Sequence, residues 1–140
     1  GDSSALELGN IDAKRDWGFA KEYVEGMYRI LQHDVADTFV LSTNKSHTVR
    51  HFVELSFASV NIPIIWSGSE EKEKGHHAKT GQLLVEINPK FYRPAEVELL
   101  IGDYSKAEKL LGWRPQTDVE HLCRMMVESD LEKVKAGKAF

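Results

Sequence analysis

The chain of 140 residues lacks most features that mark secreted, membrane or nucleic-acid-binding proteins. Its single cysteine, Cys123, excludes an internal disulfide framework and fits a reducing, cytoplasmic compartment. It contains no run of about 18 apolar residues, so no membrane-spanning segment is expected. Its first residues are neither basic nor apolar, so no signal peptide is expected. A net charge of −4 without a basic run argues against general nucleic-acid binding, but leaves room for one or two locally bound phosphates.

Motifs for cofactor binding and catalysis are also missing. There is no GxGxxG turn for a dinucleotide, no Walker A loop, no nucleophile elbow and no HExxH sequence. None of the four tyrosines is followed four residues later by lysine, so no Tyr-x-x-x-Lys pair exists. His47 and His51 have metal-ligand spacing, and His76 and His77 are adjacent, but no third ligand is near either pair. We therefore expect no metal, no bound cofactor and no catalytic residue in this chain alone.

Hydrophobic periodicity predicts one domain of mixed strands and helices, either α/β or α+β, because the order of the elements alone does not choose between them. The predicted strands are residues 5–9, 38–42, 64–66 and 83–87, and the predicted helices are 19–32, 49–60, 105–111 and 118–135. Thr48 is a plausible N-cap, Gly112 a C-terminal cap, and residues 117–120 have the spacing of a capping box. The last helix is expected to bury Val119, Leu122, Cys123, Met126 and Val134. The charged, glycine-framed segment 67–82 is expected to be a solvated loop.

The most informative segment contains Arg93, Pro94 and Glu96. Proline disfavours the helical region for the residue before it, so Arg93 is expected on extended backbone. A guanidinium held in this way can donate paired hydrogen bonds to a phosphate or diphosphate. Glu96 can then accept hydrogen bonds from hydroxyls of the same ligand, such as a ribose diol. Taken alone, this pattern also fits a simple turn.

A second arginine strengthens the hypothesis. Arg15, preceded by Lys14, lies in a polar segment before the first long helix, and two arginines from separate segments could grip one diphosphate. The alternative from residue chemistry is that Arg15 pairs with a surface carboxylate and Arg93 caps a helix or strand end. The two interpretations remain open at this level.

Longer motifs add a resemblance to a known family. They are LGNIDAKRDWG at 8–18, FVLST at 39–43, VRHFVE at 49–54, FYRPAEVE at 91–98, GDYSKA at 102–107 and LGWRP at 111–115. In this order, from about Leu6 to Leu131, they resemble GDP-mannose 4,6-dehydratases, which are extended short-chain dehydrogenases. The closing LGW element is shared by many nucleotide-sugar enzymes, whereas the longer motifs are more specific.

The resemblance covers only the C-terminal, substrate-binding portion of that family. It implies that NADP and the Tyr-x-x-x-Lys pair belong to an N-terminal Rossmann half, so this chain would not be catalytic on its own. Arg15 and Arg93 match the arginines that hold the diphosphate of a GDP-sugar, and Glu96 matches the acidic residue on the ribose. Leu8 would lie near the guanine, and Lys14 is expected among the substrate-binding residues. The complete enzyme would convert GDP-mannose to GDP-4-keto-6-deoxymannose, as a homo-oligomer.

The resemblance also predicts how the chain is divided between two domains. Residues 1–45 would contribute elements to the missing Rossmann domain, and residues 46–140 would form the substrate-binding lobe. Strand 38–42 would then lack its sheet neighbours, so a partner should supply them or the segment should rearrange or self-associate.

Two residues depart from the family pattern: Phe19 stands where the family usually has histidine, and Tyr28 where it often has tryptophan. The alternatives are a free-standing GDP-sugar or protein-binding module, and a fragment of a GDP-4-keto-6-deoxymannose reductase.

Overall fold

The structure is a computed structural model and describes residues 4–92 and 101–138. Its strands are β1 (Leu6–Leu8), β2 (Lys14–Arg15), β3 (His47–Thr48), β4 (Ile64–Ser67), β5 (Lys74–His77) and β6 (Leu83–Ile87). Its α-helices are α1 (Ala20–Leu31), α2 (Val49–Ala58), α3 (Ser105–Leu111) and α4 (Val119–Lys135), and Glu70–Lys72 forms a 3₁₀ turn. None of the helices in the described ranges is long and apolar enough to cross a membrane.

The chain divides into two compact units. The sheet unit comprises the described parts of Gly1–Ala13 and Thr48–Glu98, and the helical unit those of Lys14–His47 and Leu99–Phe140. Each unit is therefore assembled from two separate stretches of sequence.

The sheet unit is built on four strands in the order β1-β6-β5-β4. β1 runs parallel to β6, with Leu6 opposite Val85 and Leu8 opposite Ile87, whereas β5 runs antiparallel to both of its neighbours, β6 and β4. The buried apolar side chains of this unit are Ile11, Ala13, Val53, Val85 and Ile87. The Thr48 hydroxyl accepts the His51 N–H at 3.1 Å, which confirms the predicted N-cap of α2.

The helical unit packs around Trp113, which is 2% exposed. Its indole N–H donates to the Glu22 carbonyl oxygen at 2.7 Å, and its ring meets those of Tyr23 and Tyr104 at centroid distances of 5.7 and 6.2 Å. Gly26 lets α1 approach this core, because a Cβ there would lie 3.0 Å from Trp113 Nε1. Ala107, Val119, Leu122 and the thiol of Cys123 complete the buried set, so the predicted burial of Cys123 is confirmed.

Polar contacts fasten α1 to the end of α3. Arg29 Nη1 donates to the carbonyl oxygens of Leu111 and Gly112 at 3.2 and 2.6 Å, where α3 ends in the left-handed conformation of Gly112, with φ at 61°. These carbonyls would otherwise lack helical partners. The predicted C-terminal cap at Gly112 is therefore confirmed.

Two sequence predictions about strands are wrong. Residues 67–82 are not simply a solvated loop, because β5 lies inside that segment as an inner strand of the sheet. Residues 38–42 are not a strand, because among residues 4–92 and 101–138 no strand forms a ladder with them. At the start of this segment, the Thr38 carbonyl oxygen accepts a hydrogen bond from Lys106 Nζ at 3.0 Å. Lys106 also forms a salt bridge with the preceding residue, Asp37, at 2.7 Å.

The helix predictions need smaller corrections. Asp118 caps α4, accepting the His121 N–H at 2.8 Å, one residue later than the capping-box pattern suggests. Met126 and Val134 are not buried, with exposures of 47% and 57%. α1 is buried only in part: Tyr23 and Ile30 are half-buried, whereas its exposed apolar residues are Val24 (62%), Met27 (57%), Tyr28 (63%) and Leu31 (80%).

Candidate functional site

Leu8 ends β1 in the sheet unit and is half-buried. Its carbonyl oxygen accepts the Asn88 N–H at 2.8 Å, which extends the pairing of β1 with β6. At the next residue, Gly9, an added Cβ would lie 2.2 Å from the Phe91 carbonyl oxygen, so no side chain fits there. The predicted guanine-proximal segment is therefore a strand end followed by a tightly packed glycine.

Lys14 and Arg15 form β2, and both side chains are exposed. Arg15 Nη1 donates to the Lys14 carbonyl oxygen at 2.8 Å. The structure thus presents two neighbouring cations on extended backbone, the conformation that the sequence predicts for this segment. Arg93 and Glu96, the other predicted ligand-binding residues, lie outside the described residues.

Asp16 anchors the segment directly after β2. Its Oδ1 accepts from the Thr43 hydroxyl at 2.5 Å, both carboxylate oxygens lie 3.1 Å from the Thr43 nitrogen, and Oδ2 accepts the Asn44 N–H at 3.1 Å. Asn44 is left-handed, with φ at 57°. One carboxylate therefore binds a turn 27 residues away in sequence, a contact that no local motif predicts.

Tyr23 covers the glycine that precedes α1. A Cβ on Gly18 would lie 2.2 Å from Tyr23 Cε2, so the tyrosine ring packs directly against that backbone. Burial raises the pKa of Tyr23 above its ordinary value of 10.0, and the negative charges of Asp16 and Glu22 raise it further. Phe19 directly precedes the helix, and its side chain makes no cap hydrogen bond.

The helical unit also contains a cavity of about 220 Å³. Its lining combines two aromatic rings, a lysine, a histidine and several hydroxyl, amide and carboxylate groups: Trp17, Thr43, Lys45, His47, Tyr104, Pro115, Gln116, Thr117, Asp118 and Val119. Glu22 fixes one wall, since its carboxylate accepts from the Thr117 hydroxyl at 2.6 Å and the Gln116 N–H at 3.2 Å. Sequence reasoning missed this cavity, because its walls are distant in sequence.

A charged cluster organises the start of α2 in the sheet unit. Arg50 contacts Glu73 at 2.5 and 2.9 Å and Asp12 at 2.9 to 3.1 Å, and its guanidinium lies 4.9 Å from the Trp66 ring centroid. Trp66 Nε1 donates to Glu54 at 2.8 Å. The side chain of Glu73 is only 10% exposed. These partners hold the pKa of Arg50 above its ordinary value, so the guanidinium stays charged.

The predicted histidine pairs lie in separate settings. His47 is in β3, His51 is in the first turn of α2, and His76 and His77 are in β5. Across residues 4–92 and 101–138, no group of three histidine, cysteine or acidic side chains could hold a metal ion.

Comparison with known proteins bears on the same segments. The profile of the GDP-mannose 4,6 dehydratase family matches residues 1–126. The chain belongs to this family. It is 47% identical over 140 residues to the GDP-mannose 4,6 dehydratase of Dictyostelium discoideum, covering 100% of this chain and 39% of that protein. It is 44% identical over 137 residues to the Homo sapiens GDP-mannose 4,6 dehydratase, covering 98% of this chain and 37% of that protein.

Solved structures agree on the fold. An RMD from Pseudomonas aeruginosa, complexed with NADPH, matches with a TM-score of 0.66 at 21% identity, over 93% of this chain and 36% of that one. The UDP-glucose 4-epimerase of Thermotoga maritima, with UDP-glucose, matches with a TM-score of 0.70 at 19% identity, over 94% and 36%. The predicted α/β class and its correspondence to one part of an extended short-chain dehydrogenase are confirmed. The chain spans little more than a third of these proteins.

Proposed function

We propose that this chain is the GDP-sugar-binding portion of a GDP-mannose 4,6-dehydratase. In the complete protein it would act on GDP-mannose to give GDP-4-keto-6-deoxymannose, a step toward GDP-fucose and related deoxyhexoses. The observation that carries this proposal is the family match over residues 1–126, which includes the Lys14–Arg15 strand. The 47% identity over the whole chain supports the same substrate class.

Within this proposal, Arg15 and Arg93 grip the diphosphate, Glu96 binds the ribose, and Leu8 lies near the guanine. Lys14 adds positive charge beside Arg15. The exposure and extended backbone of β2 support a role for both cations in binding an anion. An arginine can meet two phosphate oxygens at once, which a lysine ammonium cannot reproduce.

The complete protein would use NADP, but the residues described here do not fit that cofactor. Dinucleotides bind where a parallel strand leads through a glycine-rich turn into a helix. In the described ranges, β1 and β6 pair in parallel, and neither is followed by such a turn and helix. We therefore assign NADP and the catalytic tyrosine to the remainder of the complete protein, and this chain is not catalytic alone.

We further propose that residues 1–45 complete a nucleotide-binding domain, while residues 46–140 form the substrate-binding lobe. The exposed apolar side of α1, and the segment 38–42 that pairs with no strand of the described residues, support the first part of this division. The complete protein would be a cytoplasmic homo-oligomer, and the single reduced thiol of Cys123 is compatible with that compartment.

Calorimetry with GDP-mannose on the complete protein tests the binding proposal. Arg15→Ala should weaken binding by about 1.5–3 kcal/mol, the usual loss for a charged hydrogen-bonded pair, or more than tenfold in affinity. Arg93→Ala should act similarly. Arg15→Lys should recover only part of the loss, because the forked geometry is absent.

Arg124→Ala is the matched control, since Arg124 is an exposed arginine on α4 in the helical unit. It should leave the affinity unchanged. Absence of binding heat with the unaltered protein, or equal losses for Arg15→Ala and Arg124→Ala, would contradict the proposal.

Phe19 supports one alternative, a non-catalytic module that binds a GDP-sugar or a protein. An aromatic ring at this helix start, with no side-chain cap, replaces the polar residue usual in the family. A sibling reductase fragment is the other alternative. The mass of the natural gene product separates the cases: a product close to the 15.9 kDa of this chain favours the free-standing module.

A further inference from the structure

Asp16 directly follows the exposed strand β2 and makes several hydrogen bonds through its carboxylate. Its carboxylate receives the hydroxyl and N–H of Thr43 and the N–H of Asn44, at distances from 2.5 to 3.1 Å. Asp16 is itself half-buried, whereas Arg15 beside it is exposed. Hydrogen bonds to a charged acceptor are among the stronger ones in proteins, so this contact fixes the backbone of residue 16.

A second restraint follows two residues later. Gly18 lies under the ring of Tyr23, where an added Cβ would be 2.2 Å from a ring carbon. Tyr23 is in turn packed against Trp113, at a centroid distance of 5.7 Å. The backbone on the C-terminal side of Arg15 is therefore held both by the Asp16 carboxylate and by the ring of Tyr23, which packs on the buried Trp113 within the helical unit.

We propose that Asp16 is a positioning residue for Arg15: it fixes the peptide from which the guanidinium reaches a nucleotide diphosphate. This inference rests on the proposed function, because it needs Arg15 to bind that diphosphate. The chemical reason is that a long arginine side chain loses precision when its Cα moves. A fork that must meet two oxygens tolerates little displacement.

The simpler explanation is that Asp16 only stabilises the Thr43–Asn44 turn. The two explanations predict different effects of removing Asp16 when Arg15 is present and when it is replaced by alanine. If Asp16 acts through Arg15, its removal should weaken GDP-mannose binding about tenfold when Arg15 is present, and not at all when Arg15 is already alanine. A purely structural role would lower stability and leave the affinity of the folded protein unchanged in both backgrounds.

The experiment is a double-mutant cycle on the complete protein, with the dissociation constant of GDP-mannose and the unfolding midpoint measured for each variant. The variants are Asp16→Ala, Arg15→Ala and the two combined. Asp16→Asn, which keeps one acceptor oxygen, should recover part of the affinity. Arg29→Ala is the control, because Arg29 is also half-buried and also binds distant residues of the helical unit, the carbonyl oxygens of Leu111 and Gly112. It should lower the unfolding midpoint and leave the affinity unchanged.

Equal weakening by Asp16→Ala in both backgrounds, or no weakening in either, overturns the inference. If Asp16→Ala does not fold, Asp16→Asn and Thr43→Val are measured in its place. Weaker binding of GDP-mannose that disappears in the Arg15→Ala background supports the inference. Unchanged affinity of these variants overturns it. An Arg15→Ala variant that binds normally overturns the proposed function itself. A normal Asp16→Ala beside a weakened Arg15→Ala overturns only the positioning role.

Discussion

Tyr23 joins three features of the helical unit in one side chain. It covers Gly18, contacts the ring of Trp113, and lies near the carboxylates of Asp16 and Glu22. Burial and those negative charges both oppose its ionisation, so its pKa is higher in the folded protein than in the unfolded chain. Folding therefore favours the protonated phenol.

This shift predicts a loss of stability at alkaline pH. Below the unfolded pKa of about 10 both states are protonated, and the contribution is fully present. As the pH rises further, the unfolded state ionises first, so the free energy of unfolding falls until the folded pKa is passed. Tyr23→Phe should remove this part of the decline.

Urea denaturation between neutral pH and about 11 measures the effect, because each midpoint reports the free energy of unfolding. Tyr28→Phe is a suitable control, since Tyr28 is 63% exposed. Identical alkaline slopes for the Tyr23→Phe variant and the unaltered chain would contradict the argument.

At the level of elements, the Arg50 cluster ties the start of α2 to the sheet. The Arg50 N–H donates to the Ile11 carbonyl oxygen at 2.8 Å, while its guanidinium binds Asp12 and Glu73. Of these two carboxylates, Asp12 has a side-chain exposure of 67% and Glu73 of 10%. The Glu73 contact is therefore the one shielded from water.

Removal of Arg50 should consequently be far more harmful than removal of Asp12. Arg50→Ala leaves a buried carboxylate unpaired and should destabilise the chain by about 3–5 kcal/mol. Asp12→Ala removes an exposed partner and should cost about 0–1 kcal/mol. Chemical denaturation of both variants measures the difference, and equal losses would show that Glu73 does not depend on Arg50.

The same elements show what sequence patterns can and cannot predict. α2 and β6 were predictable because apolar spacing and the Thr48 cap are local. β5 was not predictable from the sequence, because its residues Lys74, Gly75, His76 and His77 include no large apolar side chain. It forms as an inner strand because neighbours on both sides complete its ladder, and Gly75 leaves room for the ring of Trp66, which would lie 2.9 Å from a Cβ.

The candidate site was predictable only in part. Motif resemblance predicts a binding role for Arg15, which stays a prediction, and the structure shows an exposed side chain on extended backbone there. The anchoring of Asp16 on Thr43 and the role of Glu22 escaped sequence reasoning, since both depend on contacts between residues far apart in sequence. The predictions for Arg93 and Glu96 stay predictions.

For the whole molecule, the apolar side of α1 is the feature that decides behaviour in solution. Its packed side carries Glu22, Gly26 and Arg29, whereas Val24 and Leu31 are 62% and 80% exposed. Contiguous exposed apolar residues mark an interaction surface or an aggregation hazard. The segment 38–42, which pairs with no strand of the described residues, belongs to the same unit.

We therefore expect the 140-residue chain to self-associate when produced alone. Leu31→Lys should weaken that association about tenfold or more, since burying a leucine contributes about 1.5–3 kcal/mol. Sedimentation over a range of concentrations measures it. Val134→Lys, at a 57% exposed apolar position on α4, is the control and should change little. A stable monomer with strongly protected amides at 38–42 would contradict this expectation.

The hydrogen bonds made by Glu22 have a consequence for synthesis on the ribosome. Its partners Trp113, Gln116 and Thr117 lie 91 to 95 residues further along the chain. At about 5–20 residues per second, Glu22 is synthesised some 5–20 seconds before any of them. The helical unit therefore closes only after residues 113–117 have been synthesised, and until then α1 lacks the partners of Glu22.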